Sequence, residues 1–415
     1  MSAEAPRVDV LRPRKGGLRE AVTAFALEHA AFAFSVLRRV APILVVGDYC
    51  VVTRDDDVRQ VFLEDSYFPV AYAEKLKTIM DHHPFFLGMG NTETYRRDVA
   101  ALRMAVRPED LPALCKATTA RATELVATAG GSLEVVDFIR QVTFGVFCDY
   151  LGVTTAPPGY DLRVIATRLF EYQFLDPSGD KALLAEVEPM AKALRDHLDG
   201  LIATRKAAPG SAGGDDVLGR CLALQAEGRD GFSDIQVRSF LVGMLYGGLP
   251  QPPMAAPHAL EQLLRRPAAF GGAQAAARTG DDAALAGYVF EALRFDPLAP
   301  MLFRHTGHAR VIAPGTPRAK KIEPEKKVLV ALGSAMRDPR RVADPEAFDA
   351  TRAWRAYLHF GEGLHTCFAQ HINRALLPLM LKALLQRDKL RRAPGSRGRL
   401  TKRGFLADQL WVEFS

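Results

Sequence analysis

The stretch HFGEGLHTCFAQHINRALLPLMLKALLQR, residues 359 to 387, decides how the rest of the chain is read. It joins a glycine-rich loop to an apolar helix, expected over roughly 368–387, and Cys367 stands at the junction. Free backbone N–H groups and the helix dipole at such a junction stabilise a thiolate. Gly361 and Gly363 let the loop turn tightly and bring backbone close to something flat or bulky. His365, in the same loop, can donate a hydrogen bond. Taken alone, a cysteine at a helix start is more often a small buried hydrophobe. The combined pattern F-G-x-G-x-H-x-C, running from Phe360 to Cys367, is far more specific than its parts.

Around this stretch the 415 residues read as mainly helical, with small β pieces at both ends. Residues 1–15 are polar, contain Pro and Arg, and read as a flexible arm. In "PILVVGDYCVVTRDD" two β-branched runs meet at Gly47-Asp48, a hairpin signal. From about 54 to 295 helices dominate, broken at Pro84, Pro108, "TTAPPG", "DPSGD" and "APGSAGGDD"; the last, 208–216, reads as a mobile surface loop. Strand-like runs such as "KVLVALGS" follow between 298 and 350.

The composition, 48% hydrophobic and 25% charged, is that of an ordinary soluble globular protein. Part of the net charge of +6 comes from "RDKLRRAPGSRGRLTKR", residues 387–403. This run reads as a solvated loop or, alternatively, as a docking surface for an acidic protein. It carries no interleaved aromatic residues and no binding motif, which argues against a nucleic-acid partner. Five widely spaced cysteines without a CxxC pair point to a reducing compartment. No signal-peptide layout and no membrane span are visible, and the first apolar segment is interrupted by Glu28 and His29, so a cytoplasmic protein is expected.

The loop at Phe360, Gly361, Gly363, His365 and Cys367 resembles the haem-ligand loop of the cytochrome P-450 family, with Ala369 where glycine is usual. Other segments resemble that family in the same order. "EALR" supplies Glu291 and Arg294, which the resemblance pairs with Arg352 of "DPEAFDATR" as a buried structural network. "LFRHTG" puts Arg304 where the family holds a haem propionate. "AMRDPRRVADPEAFD" and "YCVVTRDDDVRQVFLED" match further segments, with Met336 where asparagine is usual. The resemblance spans about 43–405 and implies one mainly α domain with small β-sheets, over 16–415, in place of the two or three domains that length suggests. It also implies haem b as cofactor and Cys367 as the thiolate ligand of its iron.

Two departures from the family matter. In "GMLYGGLPQPPMAAPHALEQLLRRP", residues 243–267, Pro250 and Gln251 stand where the family's distal helix carries an acid and a threonine. An amide exchanges hydrogen bonds but does not titrate. The four prolines predict two helical pieces separated over roughly 249–254, with Gln251 directed toward the haem above Gly247 and Gly248. Near 95, Tyr95 and Val99 stand where His and Arg usually reach the propionates, and Arg103 lies two turns from Tyr95 on the same face, with Arg96 and Arg97 as neighbours. Apolar residues of "HHPFFLGMGN" and "PLAPMLF", chiefly Phe86, Leu87, Leu298 and Met301, together with Met244, are candidates for a substrate site or for plain core.

Three functions follow from the resemblance. The first is a monooxygenase that takes dioxygen and electrons from a ferredoxin-type partner and oxidises a small apolar substrate, a lipid or secondary metabolite. The second uses hydrogen peroxide or rearranges a fatty-acid hydroperoxide, with Gln251 and Gly248 at the reacting oxygen; "FFLGMGNTETYRR" is similar to the P-450-like halves of fungal fatty-acid dioxygenase fusions. The third is a catalytically silent haem protein.

Overall fold

The computed structural model describes residues 9–12, 30–176, 179–207 and 214–415. Most of the loop expected at 208–216 lies outside them. The Gly47-Asp48 hairpin forms as read, because Gly47 takes φ +53, a left-handed conformation that favours glycine. It joins β1 (Ile43–Val46) to β2 (Tyr49–Val52). After α1 (Asp55–Leu63), α2 (Ala73–Met80) and α3 (Glu93–Ala105), two long helices build the centre: α4 (Leu111–Thr128) and α5 (Val135–Leu151). Then come α6 (Leu162–Phe170), continued as a π-turn over Glu171–Leu175, and α7 (Lys181–Ala207).

The proline-rich region is α8 (Asp234–Gly248) followed by α9 (Gln251–Leu264). Two pieces form, but the interruption is narrower than the 249–254 expected. Leu249 and Pro250 keep right-handed helical angles, φ −71 with ψ −38 and φ −73 with ψ −24. The physical reason is placement: Pro252 and Pro253 fall in the first turn of α9, where backbone N–H groups have no intrahelical partner to lose. Only Pro257 lies in a helix interior.

Helix α10 (Asp282–Phe295) and helix α11 (Gln370–Leu385) pack with α4, α5 and α9 around the main core. The latter is the helix expected at 368–387. Strands β3 (Leu302–His305) and β4 (Lys327–Val330) complete a four-stranded sheet in the order β1-β2-β4-β3, where β2 runs parallel to β4 and β3 antiparallel. That pairing sets Arg304 opposite Val328 on the outermost strand of the sheet.

Two expectations from the sequence need correction. The basic run 387–403 is more ordered than a solvated loop, although Lys389, Arg391, Arg397 and Arg399 stay exposed. It forms two strands, and several of its charges are paired: Arg391 with Glu413, Arg392 with Glu261, Lys402 with Asp296, and Arg403 with Asp9 and Asp408. Arg397 lies 3.9 Å from the Trp411 ring centre. The described part of the N-terminal arm, 9–12, is not loose either. Val10 and Leu11 are buried against Phe170, Met254 and Leu406, because a two-residue apolar step within a polar segment has a matching apolar seat.

Among the described residues no helix is long and apolar enough to cross a membrane, and all five cysteines are free.

Candidate haem-thiolate site

The cysteine loop is held from both sides. Gly361 and Gly363 take φ +69 and +75, and a Cβ on Gly363 would lie 2.5 Å from the Phe62 carbonyl oxygen, so α1 packs directly on loop backbone. The Cys367 N–H donates to the Phe360 carbonyl at 2.9 Å, and the Gln370 N–H to the Cys367 carbonyl at 3.1 Å. Residues 359–371 are all only partly buried as whole residues, yet the Cys367 thiol itself is enclosed by surrounding atoms. Burial therefore pushes the Cys367 thiol up to about 11, opposed by a hydrogen bond from the Ala369 N–H to the sulfur. A cation at the sulfur would reverse that balance in favour of the thiolate.

A buried charged pocket lies beside the loop. Arg304 is 3% exposed, its Nε has no partner, and its Nη1 reaches only the neighbouring Phe303 carbonyl at 3.4 Å. Burial lowers its pKa, while Tyr72 and Asp65 act to raise it. His365 Nε2 and Asp65 Oδ1 are 3.0 Å apart but off the line of a hydrogen bond, and neither atom has another partner among the described residues. The Tyr72 hydroxyl, pushed up to about 12 by burial, sits in the field of Arg304. Buried donors left unmade are costly, and an arginine and a histidine aimed into one pocket suit carboxylates. Asp65 and Tyr72 escaped the sequence reading, because no motif marks them and they meet His365 and Arg304 only through the fold.

The α8–α9 helix connects to the cysteine loop through Phe85, Phe86 and Phe368. Gly243, Met244, Gly247, Gly248 and Gln251 are its partly exposed residues in an otherwise buried stretch, a spacing that puts them on one face. A Cβ on Gly247 or Gly248 would meet nothing within 4 Å, whereas one on Gly243 would strike the Phe85 ring at 2.3 Å. Gln251 stands on this face, but its amide nitrogen turns back to the Gly247 carbonyl at 2.6 Å instead of extending away from the helix. The reason is local: an amide one turn beyond Gly247 can reach that carbonyl. Among the described residues, unpartnered donors beside the cysteine loop and a small-residue groove are the features a haem requires, and the residues fit one.

The other expected residues divide. The Tyr95 hydroxyl donates to the Leu364 carbonyl at 2.6 Å, so its proton holds the loop. Exposed Arg103 lies 5.9 Å from the ring centre of Phe368, the residue after the cysteine. Phe86 is buried 6.0 Å from the same ring, and Leu87 is partly buried in the main core. Leu298 joins the main core to the Val10 cluster. Met301 belongs to neither of these two clusters. Strand alternation just before β3 sends it to a separate cluster with Phe34 and Ala331.

Glu291 and Arg294 are fully buried and doubly bonded, at 2.9 and 2.7 Å. Glu291 also accepts from Arg352 Nε at 3.2 Å, the Asp349 N–H at 3.0 Å and the Tyr357 hydroxyl at 3.0 Å. Arg352 and Arg294 both donate to the Ala347 carbonyl, which ties α10 to the segment leading into the cysteine loop.

No family model matches the chain. Over 197 residues it is 30% identical to cytochrome P450 107B1 of Saccharopolyspora erythraea, covering 47% of this chain and 45% of that protein. Over 121 residues it is 30% identical to a bifunctional dioxygenase–epoxy alcohol synthase of Pyricularia oryzae, covering 29% of this chain and 10% of that protein. The chain thus spans less than half the length of either curated relative. Among solved structures, P450BioI in complex with an acyl carrier protein ligated to hexadec-9Z-enoic acid superposes with a TM-score of 0.76 at 20% identity, covering 95% of this chain and 100% of that one. With the cysteine loop and the Glu291–Arg294–Arg352 network in place, the chain has the cytochrome P450 fold and is similar in sequence to bacterial-type cytochromes P450.

Proposed function

We propose that the protein is a haem-thiolate monooxygenase that oxidises a small apolar substrate with dioxygen and electrons from a ferredoxin-type partner, in a cytoplasmic setting. The observation that carries this reading is that two buried donors beside the Cys367 loop, Arg304 Nε and His365 Nε2, have no hydrogen-bond partner among the described residues, with Asp65 close to His365 and in the field of Arg304. Cys367 would hold the iron of haem b, and Arg304 and His365 would take its propionates. When bound, that group supplies a redox centre at which an O–O bond is cleaved. The chain's own residues do the rest. The Ala369 N–H supports the sulfur, Tyr95 fixes the loop, and the open face at Met244, Gly247 and Gly248 leaves room for an apolar molecule. Phe86, Leu87 and Leu298 exclude water around it.

A second reading, use of a peroxide or rearrangement of a lipid hydroperoxide, is favoured by one feature. The turn at Pro250-Gln251 offers neither a titrating group nor a hydroxyl, which a preformed peroxide does not need. The fungal relative, named as a dioxygenase–epoxy alcohol synthase, agrees with it.

The test offers apolar substrates and fatty-acid hydroperoxides to the purified haem protein, either with dioxygen, a surrogate ferredoxin and its reductase, or with peroxide alone. Turnover only with electrons and dioxygen supports the first reading. Rapid anaerobic consumption of a hydroperoxide overturns it in favour of the second. A carbon monoxide difference spectrum without the thiolate red shift would overturn both.

A further inference from the structure

Residues 9–12 form a strap whose side chains and backbone do different work. Val10 is 2% exposed and Leu11 4%, and they pack with Phe170 at the end of α6, Met254 in the first turn of α9, and Leu406. Phe174 and Leu298 belong to this cluster and to the main core at once. The Phe170 and Phe174 rings are 5.1 Å apart, and Phe174 meets Tyr72 edge-on at 5.1 Å. Tyr72 in turn sits in the field of Arg304. A continuous apolar wall therefore runs from the strap to the charged pocket beside the cysteine loop.

The backbone of the strap is clasped by arginines from distant segments. Arg403 donates to the Leu11 carbonyl at 3.1 Å, the Arg12 carbonyl at 2.8 Å and the Asp9 carboxylate at 3.1 Å. Arg168 donates to the Val10 carbonyl at 3.0 Å. Arg12 reaches across to Asp180 at 2.8 Å and Glu186 at 2.9 Å. The π-turn that carries Phe174 is fastened as well: Lys75 of α2 donates to the Tyr172 carbonyl at 2.7 Å and pairs with Asp176 at 2.8 Å. A π-turn departs from regular helical packing, a feature frequent at functional sites.

We propose that Val10 and Leu11 are specificity-determining residues that close the outer end of the substrate chamber and set the length of alkyl chain it accepts. The inference rests on the haem-thiolate reading and adds to it the shape of the substrate. Three segments far apart in the chain, at 10–11, 170–174 and 406, meet there over Met254, one turn from Gln251. Arginine clasps hold the strap by its carbonyls, while its two side chains pack inward as a stopper.

The test uses N-butyl-, N-octyl- and N-dodecylimidazole as probes, because the imidazole ligates haem iron and the tail reports chamber depth. Binding is read from the Soret shift. In V10A/L11A the affinity for the dodecyl probe relative to the butyl probe is expected to rise roughly tenfold, since each added methylene finds apolar room. Val10→Phe is expected to move the ratio the other way. Arg403→Ala, which frees the strap but keeps both apolar side chains, repeats the rise in smaller measure. An identical length profile in all three variants, with unsubstituted imidazole still binding, overturns the inference and leaves the haem-thiolate reading intact. Absence of any imidazole-induced shift in the unaltered protein overturns both.

Discussion

The Gln251 side-chain amide donates to the Gly247 carbonyl oxygen at 2.6 Å, one turn back on the face that borders the open groove. That bond bridges the two-residue interruption between α8 and α9 and joins the last turn of one helix to the first residue of the other. Gln251→Ala is expected to lower stability by about 1 kcal/mol, the net worth of one partly buried hydrogen bond. Gln251→Asn, too short to reach, should lose the same amount. Urea unfolding checks both, and an unchanged midpoint in Gln251→Ala would mean that the bond does not couple the helices.

Replacing Arg304 should act with opposite sign in the two forms of the protein. Without haem, its guanidinium is buried with an unpartnered Nε, so Arg304→Leu is expected to be neutral or stabilising by about 1–3 kcal/mol. With haem, loss of the arginine removes a charge-assisted contact and should speed haem transfer to apomyoglobin about tenfold or more. Slower or unchanged transfer would separate Arg304 from the cofactor.

Glu291 accepts hydrogen bonds from Arg294, Arg352, Asp349 and Tyr357, all within 3.2 Å. Glu291→Gln leaves two buried guanidinium groups without their carboxylate. A loss of about 3–5 kcal/mol follows, enough to abolish most soluble protein. Soluble yield and the urea midpoint measure it.

The elements that sequence made legible are those whose chemistry is local. The cysteine loop, the Glu291–Arg294 pair and the Gly47 turn each write their geometry into a few adjacent residues. Partners brought together by the fold left no such mark: Asp65 meets His365, and Tyr72 meets Arg304, across some 230 to 300 positions. The prolines were overread for a different reason, since a proline in the first turn of a helix costs almost nothing and one inside costs about 3 kcal/mol. The basic run 387–403 misled because charge density hides pairing. Several of its arginines look solvated until Glu261, Glu413, Asp408 and Asp9 are brought beside them.

His359 gives a pH dependence with a definite sign. Enclosed between Tyr357 and Phe290, it bonds the Phe290 carbonyl through Nε2 at 3.0 Å, and burial pushes its pKa down to about 4 from an ordinary 6.5. The unfolded chain therefore binds the proton first as pH falls. The stability this residue contributes is present above about pH 6.5 and is lost progressively down to about pH 4. His359→Gln keeps a donor for the carbonyl and should flatten the melting temperature over that window.

The glycines of α8 should separate by position. Gly243→Ala forces the Phe85 ring to move, because a Cβ there lies 2.3 Å from it, and should destabilise by about 1–3 kcal/mol. Gly248→Ala meets no protein atom within 4 Å and, as alanine is the better helix former, should stabilise the haem-free protein by up to about 1 kcal/mol. In the haem-loaded protein the same methyl enters the groove and should weaken binding of apolar ligands, read from the Soret shift.

The clasp of Arg403 on the Leu11 and Arg12 carbonyls joins positions 391 and 392 residues apart. A ribosome making the protein releases residues 9–12 nearly four hundred steps before the arginine that secures them. The seat of the strap is incomplete until Leu406 and Arg403, near the opposite end, have joined Phe170 and Met254, so its final closure belongs to a late stage of assembly. A chain stalled short of Arg403 would lack that clasp and the Leu406 side of the cluster, and would leave the apolar pair only partly covered.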